Sequence, residues 1–170
     1  HAAAYRHTAD VFTVFEKEHV RAVTRGALRV TEEADGIHFY RCTAKQTAAW
    51  KLLSATLSER TLCTTGVRLD FVTSSKTLRF SASHGQKYEV WIDGLLRAKY
   101  DLKASRETGE FPVVPLVDAL GHEQGECRVT LWLPSHTVGV LTSVELDDGA
   151  TVRPYEGYAR KLLFIGDSIT

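Results

Sequence analysis

Apolar and polar positions alternate through much of this chain. Leu69, Phe71 and Thr73 alternate with Arg68 and Asp70, and Leu78, Phe80 and Ala82 with Arg79 and Ser81. Tyr88, Val90 and Ile92 alternate with Glu89 and Asp93, and Val129, Leu131 and Leu133 with Arg128, Thr130 and Trp132. A period of two places one set on each face of a strand, so each run predicts a strand with one dry and one wet face. Further strands are expected at Leu28 to Thr31 and Ile37 to Cys42, joined by a turn at Ala34-Asp35-Gly36. Others are expected at Leu95 to Leu102, at Val138 to Leu146 with a turn at Asp148-Gly149, and at Thr151 to Pro154. Asp93-Gly94 between two such runs predicts a hairpin, because a type I′ turn needs positive φ.

Elsewhere the period lengthens. Val11, Phe12, Phe15, Val20 and Val23 recur at helical spacing, with Thr8 or Asp10 as cap and Gly26 as stop. Thr43 to Leu57 has helical composition, with Ala48, Trp50, Leu52, Leu53 and Leu57 available to pack. Lys103 to Glu110 is polar and reads as a loop. About eight or nine short strands with turns every ten residues or so predict a mainly β chain, an antiparallel β-sandwich of jelly-roll type with one or two short N-terminal helices.

Composition narrows the function classes. The 170 residues hold 21 Lys+Arg and 21 Asp+Glu, a net charge of zero. This gives no electrostatic footprint for nucleic acid or an anionic membrane, and neither is expected as a partner. No apolar run is long enough to span a bilayer. No leader is read at the start, which places the chain provisionally in the cytoplasm; His1 to Ala4 read as a processing scar. Cys42, Cys63 and Cys127 are not spaced as CxxC and read as free thiols. The histidines (His1, His7, His19, His38, His84, His122, His136) show no zinc-site spacing, so neither a metal nor a cofactor is expected.

Two tryptophans stand out by parity. Trp91 shares a strand face with Glu89 and Asp93, and Trp132 one with Arg128 and Thr130, so both indoles point away from the main core. Either a helix covers that face, or the indoles form a sugar-stacking platform or a docking surface for a neighbouring domain. Tyr155 and Tyr158, in the linker-like stretch 155–160, suit a brace at a domain interface.

The last ten residues, KLLFIGDSIT, differ in kind. Leu162, Leu163, Phe164 and Ile165 are continuously apolar, as in a strand covered on both faces in a parallel α/β sheet. Gly166, Asp167 and Ser168 follow at once, and a nucleophile at a turn after a strand is how α/β hydrolases present a serine. Phe164-Ile165-Gly166-Asp167-Ser168-Ile169-Thr170 resembles the first sequence block of the GDSL-type, or SGNH, serine hydrolases. The segments Gly66 to Thr73, Tyr88 to Gly94 and the TAKQ stretch from Thr43 look similar, more loosely, to the N-terminal β-sandwich of two-domain members.

The resemblance implies a division into a β-sandwich domain with its leading helix (1–154), a linker (155–160), and the first strand and nucleophile turn of a truncated α/β, flavodoxin-like hydrolase domain (161–170). It implies Ser168 as nucleophile and oxyanion N–H donor, with Gly166 and Asp167 supporting the turn. The family's base is a His with an Asp three residues before it, in a later block. His84, His122 and His136 have no such Asp. The 170 residues are therefore expected to be inactive alone, an accessory part of an esterase or acylhydrolase. Its substrate would be a small ester, with acetyl esters of carbohydrates the expected class, and its partner the missing C-terminal catalytic domain. A non-catalytic carbohydrate-binding module and a role in homo-oligomerisation are the competing readings.

Overall fold

The computed structural model describes residues 12–158, apart from residues 119 and 124. The elements run β1 (Phe12–Val14), α1 (Lys17–Val23), β2 (Thr24–Arg25), β3 (Arg29–Glu33), β4 (Gly36–Tyr40), α2 (Ala44–Leu53), α3 (Ala55–Leu62) and β5 (Arg68–Thr73). There follow β6 (Thr77–His84), β7 (Lys87–Ile92), β8 (Leu95–Asp101), α4 (Leu102–Thr108), β9 (Val113–Pro115), β10 (Cys127–Trp132), β11 (Val140–Asp147) and β12 (Val152–Pro154). They form two antiparallel sheets. The first has the order β3-β4-β11-β6-β9 with β1 also on β11; the second has the order β12-β5-β10-β7-β8 with β2 also on β5.

Alternation becomes burial. Leu78, Phe80, Ala82, Leu141 and Val144 of the first sheet share one hydrophobic cluster with Leu69, Phe71, Tyr88, Val90, Val129 and Leu131 of the second. Phe80 meets the rings of Tyr88 and Tyr100 from the opposing sheet, at 5.8 and 5.7 Å between centroids. Each such side chain contributes roughly 1.5–3 kcal/mol by leaving water. The mainly β, antiparallel expectation holds. The Asp93-Gly94 turn has the positive φ its sequence demands at both residues, 51° and 84°.

The helices required more correction. The first segment is not one helix to Gly26: Phe12–Val14 is a strand paired with β11, and α1 ends at Val23. The β-sheet hydrogen bonds offered by β11 outweigh a helical period carried by few residues. Gly26 is instead a turn with φ +85°, where an added Cβ would lie 2.3 Å from the Gly66 carbonyl oxygen. The expected loop from Lys103 is largely α4. Asp101 caps it by accepting from the Lys103 N–H at 3.0 Å, and Gly109 closes it at φ 77°. Both signals stand in the sequence, and buried Leu102 anchors the helix to the core. The helical stretch from Thr43 is confirmed as α2 and α3, with a Thr43–Gln46 capping box. Its packing is not: neither helix buries a residue, and Leu52 and Leu53 are 89% and 73% exposed.

The three cysteines are free, with Cys63 and Cys127 buried. Burial, helped by the charge of Asp93, pushes the Cys127 thiol up to about 11, far from a reactive thiolate. No helix among the described residues is long and apolar enough to cross a membrane.

Candidate functional site

The outer face of the second sheet is built in cross-strand rows. Register places Arg68, Trp132 and Glu89 side by side, and Asp70, Thr130 and Trp91 in the next row. Paired residues share a face, so the alternation that buries Leu69, Val129 and Leu131 turns this set outward. An open cleft of about 400 Å³ results, lined by Arg68, Glu89, Trp91, Gly94, Arg128, Thr130, Trp132 and Tyr158. Trp91 and Trp132 thus meet as parity required. Among the described residues no helix lines the cleft, and Tyr158 stands at its edge.

Asp70 organises this face. Its side chain is fully buried, and Arg128 grips it with both prongs, Nε to Oδ1 at 2.8 Å and Nη2 to Oδ2 at 2.9 Å. The Tyr158 hydroxyl donates to Oδ2 at 2.5 Å, and Arg68 Nε stands 3.4 Å away. Burial alone would raise the Asp70 carboxyl. Hydrogen bonds from Arg128 and Tyr158, with the charges of both arginines, outweigh it and hold the group below the usual carboxylate range. The Arg128 guanidinium stacks 3.7 Å above the Tyr155 ring, and Arg68 lies 4.7 Å from the Trp132 ring. Tyr155 and Tyr158 meet edge to face at 5.1 Å. Glu89 is also spoken for: hydrogen bonds from Lys99 and then from the Trp91 indole, at 2.8 and 3.1 Å, lower its pKa.

Among the described residues the cleft presents two indoles, two guanidinium groups and the Glu89 carboxylate, a surface suited to stacking and to hydrogen bonding. The residues expected to act on substrate, Ser168 with Gly166 and Asp167, lie outside the described residues, as does all of 161–170.

A second polar cluster sits on the first sheet. Asp35 and His38, which do have the Asp-x-x-His spacing, are hydrogen-bonded at 2.7 Å from Oδ1 to Nε2. Glu33 Oε2 lies 3.9 Å from that Nε2, and His84 Nδ1 3.4 Å from the other oxygen of Asp35. One donor atom each from Glu33, Asp35 and His38 falls within 4.8 Å of the others, a grouping able to hold a metal ion. Histidine spacing does not reveal it, because all three donors come from one hairpin with a single histidine, and His84 lies on a distant strand. The Glu-x-Asp-x-x-His run across the hairpin was the available signal. The other exposed pair, Asp118 and His122, stands at 3.2 Å on a loop.

No family model matches the sequence, and no curated protein matches it. Its fold does match solved structures. The salicylyl-acyltransferase SsfX3 from a tetracycline biosynthetic pathway aligns at 24% identity and a TM-score of 0.63, over 79% of this chain and 39% of that one. A GDSL-like lipase from Bacteroides ovatus ATCC 8483 aligns at 18% identity and a TM-score of 0.54, over 86% and 44%. The chain therefore shares its fold with part of an acyltransferase and part of a GDSL-like lipase, and spans about two fifths of the length of each.

Proposed function

We propose that this chain is the N-terminal accessory part of a GDSL/SGNH-type ester hydrolase or acyltransferase, with Ser168 as the nucleophile at the start of the catalytic part. The observation that carries the reading is the likeness of fold to two such proteins, each more than twice the aligned length, together with the apolar Leu162 to Ile165 run ending in Gly166-Asp167-Ser168. Ser168 Oγ would attack the ester carbonyl, lose its proton to a histidine base, expel the alcohol and leave an acyl-enzyme for water or a second alcohol to resolve. Acetyl esters of carbohydrates are the proposed substrate class.

The described residues offer no such base. His38 spends Nε2 on Asp35, whereas a hydrolase histidine turns Nε2 to its serine and Nδ1 to its aspartate. The 170 residues alone should therefore leave p-nitrophenyl acetate intact. The longer protein should hydrolyse it, and Ser168→Ala should remove about 10⁴-fold or more of kcat. Unchanged turnover in that variant would overturn the assignment.

The cleft supports a second reading, a carbohydrate-binding module, because two indoles share one open face. Saturable glycan binding by the 170-residue chain, lost on Trp91→Ala, would favour it. Its absence would leave the cleft as a docking face for the catalytic part.

A further inference from the structure

The Glu33, Asp35 and His38 side chains gather, with His84 beside Asp35, at a place that neither the proposed catalysis nor the cleft uses. Two antiparallel ladders bring them together. Val140 on β11 pairs with His38 on one side and with His84 on the other. An irregularity between Val140 and Leu141 breaks the alternation of β6, so that His84 is exposed where the rhythm of Leu78, Phe80 and Ala82 would have buried it. The β3–β4 turn then sets Asp35 between the two imidazoles, 2.7 Å from one and 3.4 Å from the other.

We propose that Glu33, Asp35, His38 and His84 form a binding site for a first-row divalent cation of the zinc type. The donor set is two imidazole nitrogens and two carboxylates, which suits such a cation and not the all-oxygen preference of calcium or magnesium. Around a tetrahedral zinc, ligand atoms stand about 3.3 Å apart, from metal–ligand distances near 2.0–2.1 Å. Glu33, Asp35 and His38 already present one donor atom each within 4.8 Å of the others, two of the separations being 2.7 and 3.9 Å, and the exposed His84 imidazole, 3.4 Å from the second oxygen of Asp35, joins them by turning. The ligands are also held from behind. Glu33 Oε1 accepts from Tyr40 Oη at 2.7 Å and from Thr31 Oγ1 at 2.9 Å, which leaves Oε2 as its free ligand atom. Outer partners of this kind fix the orientation of a ligand. These hydrogen bonds, Tyr40 first, keep Glu33 ionised, and the bond from His38 does the same for Asp35. A cation at His38 Nε2 takes the lone pair of that nitrogen, so the imidazole proton then stands on Nδ1.

Titration of the 170-residue chain with Zn²⁺ alone, followed by calorimetry and by the thermal midpoint, tests the site. One-to-one binding with a raised midpoint is expected, with no comparable effect of Ca²⁺ or Mg²⁺. His38→Ala and Asp35→Asn should each weaken binding at least about tenfold, with folding checked by circular dichroism, and Tyr40→Phe should weaken it with all four donors retained. A double His1→Ala/His7→Ala variant should bind as well as the parent. Absence of saturable Zn²⁺ binding overturns the proposal. So does affinity that survives His38→Ala or follows Cys42→Ser instead, and affinity unchanged in His84→Ala overturns the four-donor form.

Discussion

The outer faces of the two sheets handle charge in opposite ways. On the second sheet, the Asp70 side chain is fully buried beneath Arg68, Arg128 and Tyr158. On the first, Asp35 and Glu33 are 42% and 43% exposed beside His38 and His84. Desolvation makes the difference. A buried carboxylate tolerates no missing partner, so its network is rigid and tied to the fold. Exposed carboxylates keep their hydration, so their arrangement contributes little to stability and stays open to a ligand.

This contrast can be broken experimentally, starting with the largest effect. Phe71→Ala, in the core directly beneath Asp70, should cost about 3–5 kcal/mol, the usual cavity penalty. Asp70→Ala leaves the half-buried Arg128 without its counter-charge and should cost about 3 kcal/mol by urea unfolding. If Asp70→Ala is tolerated while Phe71→Ala is not, the network is decoration on an apolar fold. Tyr158→Phe removes the hydroxyl that donates to Asp70 and accepts from Arg128 and Arg68, and should cost about 1.5–3 kcal/mol.

The pH response sharpens the comparison further. The folded pKa of Asp70 is lowered, so its contribution is present above the unfolded value near 4 and is lost as pH falls through the folded one. The urea midpoint should fall as the pH drops below about 4, and Asp70→Asn should flatten that fall. Asp35 is lowered with the same sign, but its exposure makes Asp35→Asn a small change in the same measurement. The smallest effect is expected on the helices. Leu52→Ser on α2 should alter stability by less than about 0.5 kcal/mol, since that side chain is 89% exposed.

Much of this was legible in advance. Parity at Trp91 and Trp132 placed both indoles outside the core, and Asp93-Gly94 announced its turn. Asp70 read only as a polar member of an alternating strand. Its burial depends on Arg128 arriving from β10 and Tyr158 from beyond β12, partners 58 and 88 residues away. The cap Asp101 and stop Gly109 of α4 stand in the sequence, but the polar composition between them reads as loop until buried Leu102 anchors the helix to the core. The Glu-x-Asp-x-x-His run of Glu33, Asp35 and His38 stands in the sequence, but the arrival of His84 beside it could not be read, since it requires β11 to lie between β4 and β6.

The sequence by itself determined which positions face inward, where several hairpins turn, and the Gly166-Asp167-Ser168 signature on which the catalytic reading stands. These are local properties: a strand's period and a turn's φ are set by neighbouring residues. Only the tertiary structure decided strand order, the desolvation of Asp70 and the gathering of two imidazoles around Asp35. Those depend on residues far apart in the chain, and their energies arise only once water is excluded or partners are brought within a few ångströms.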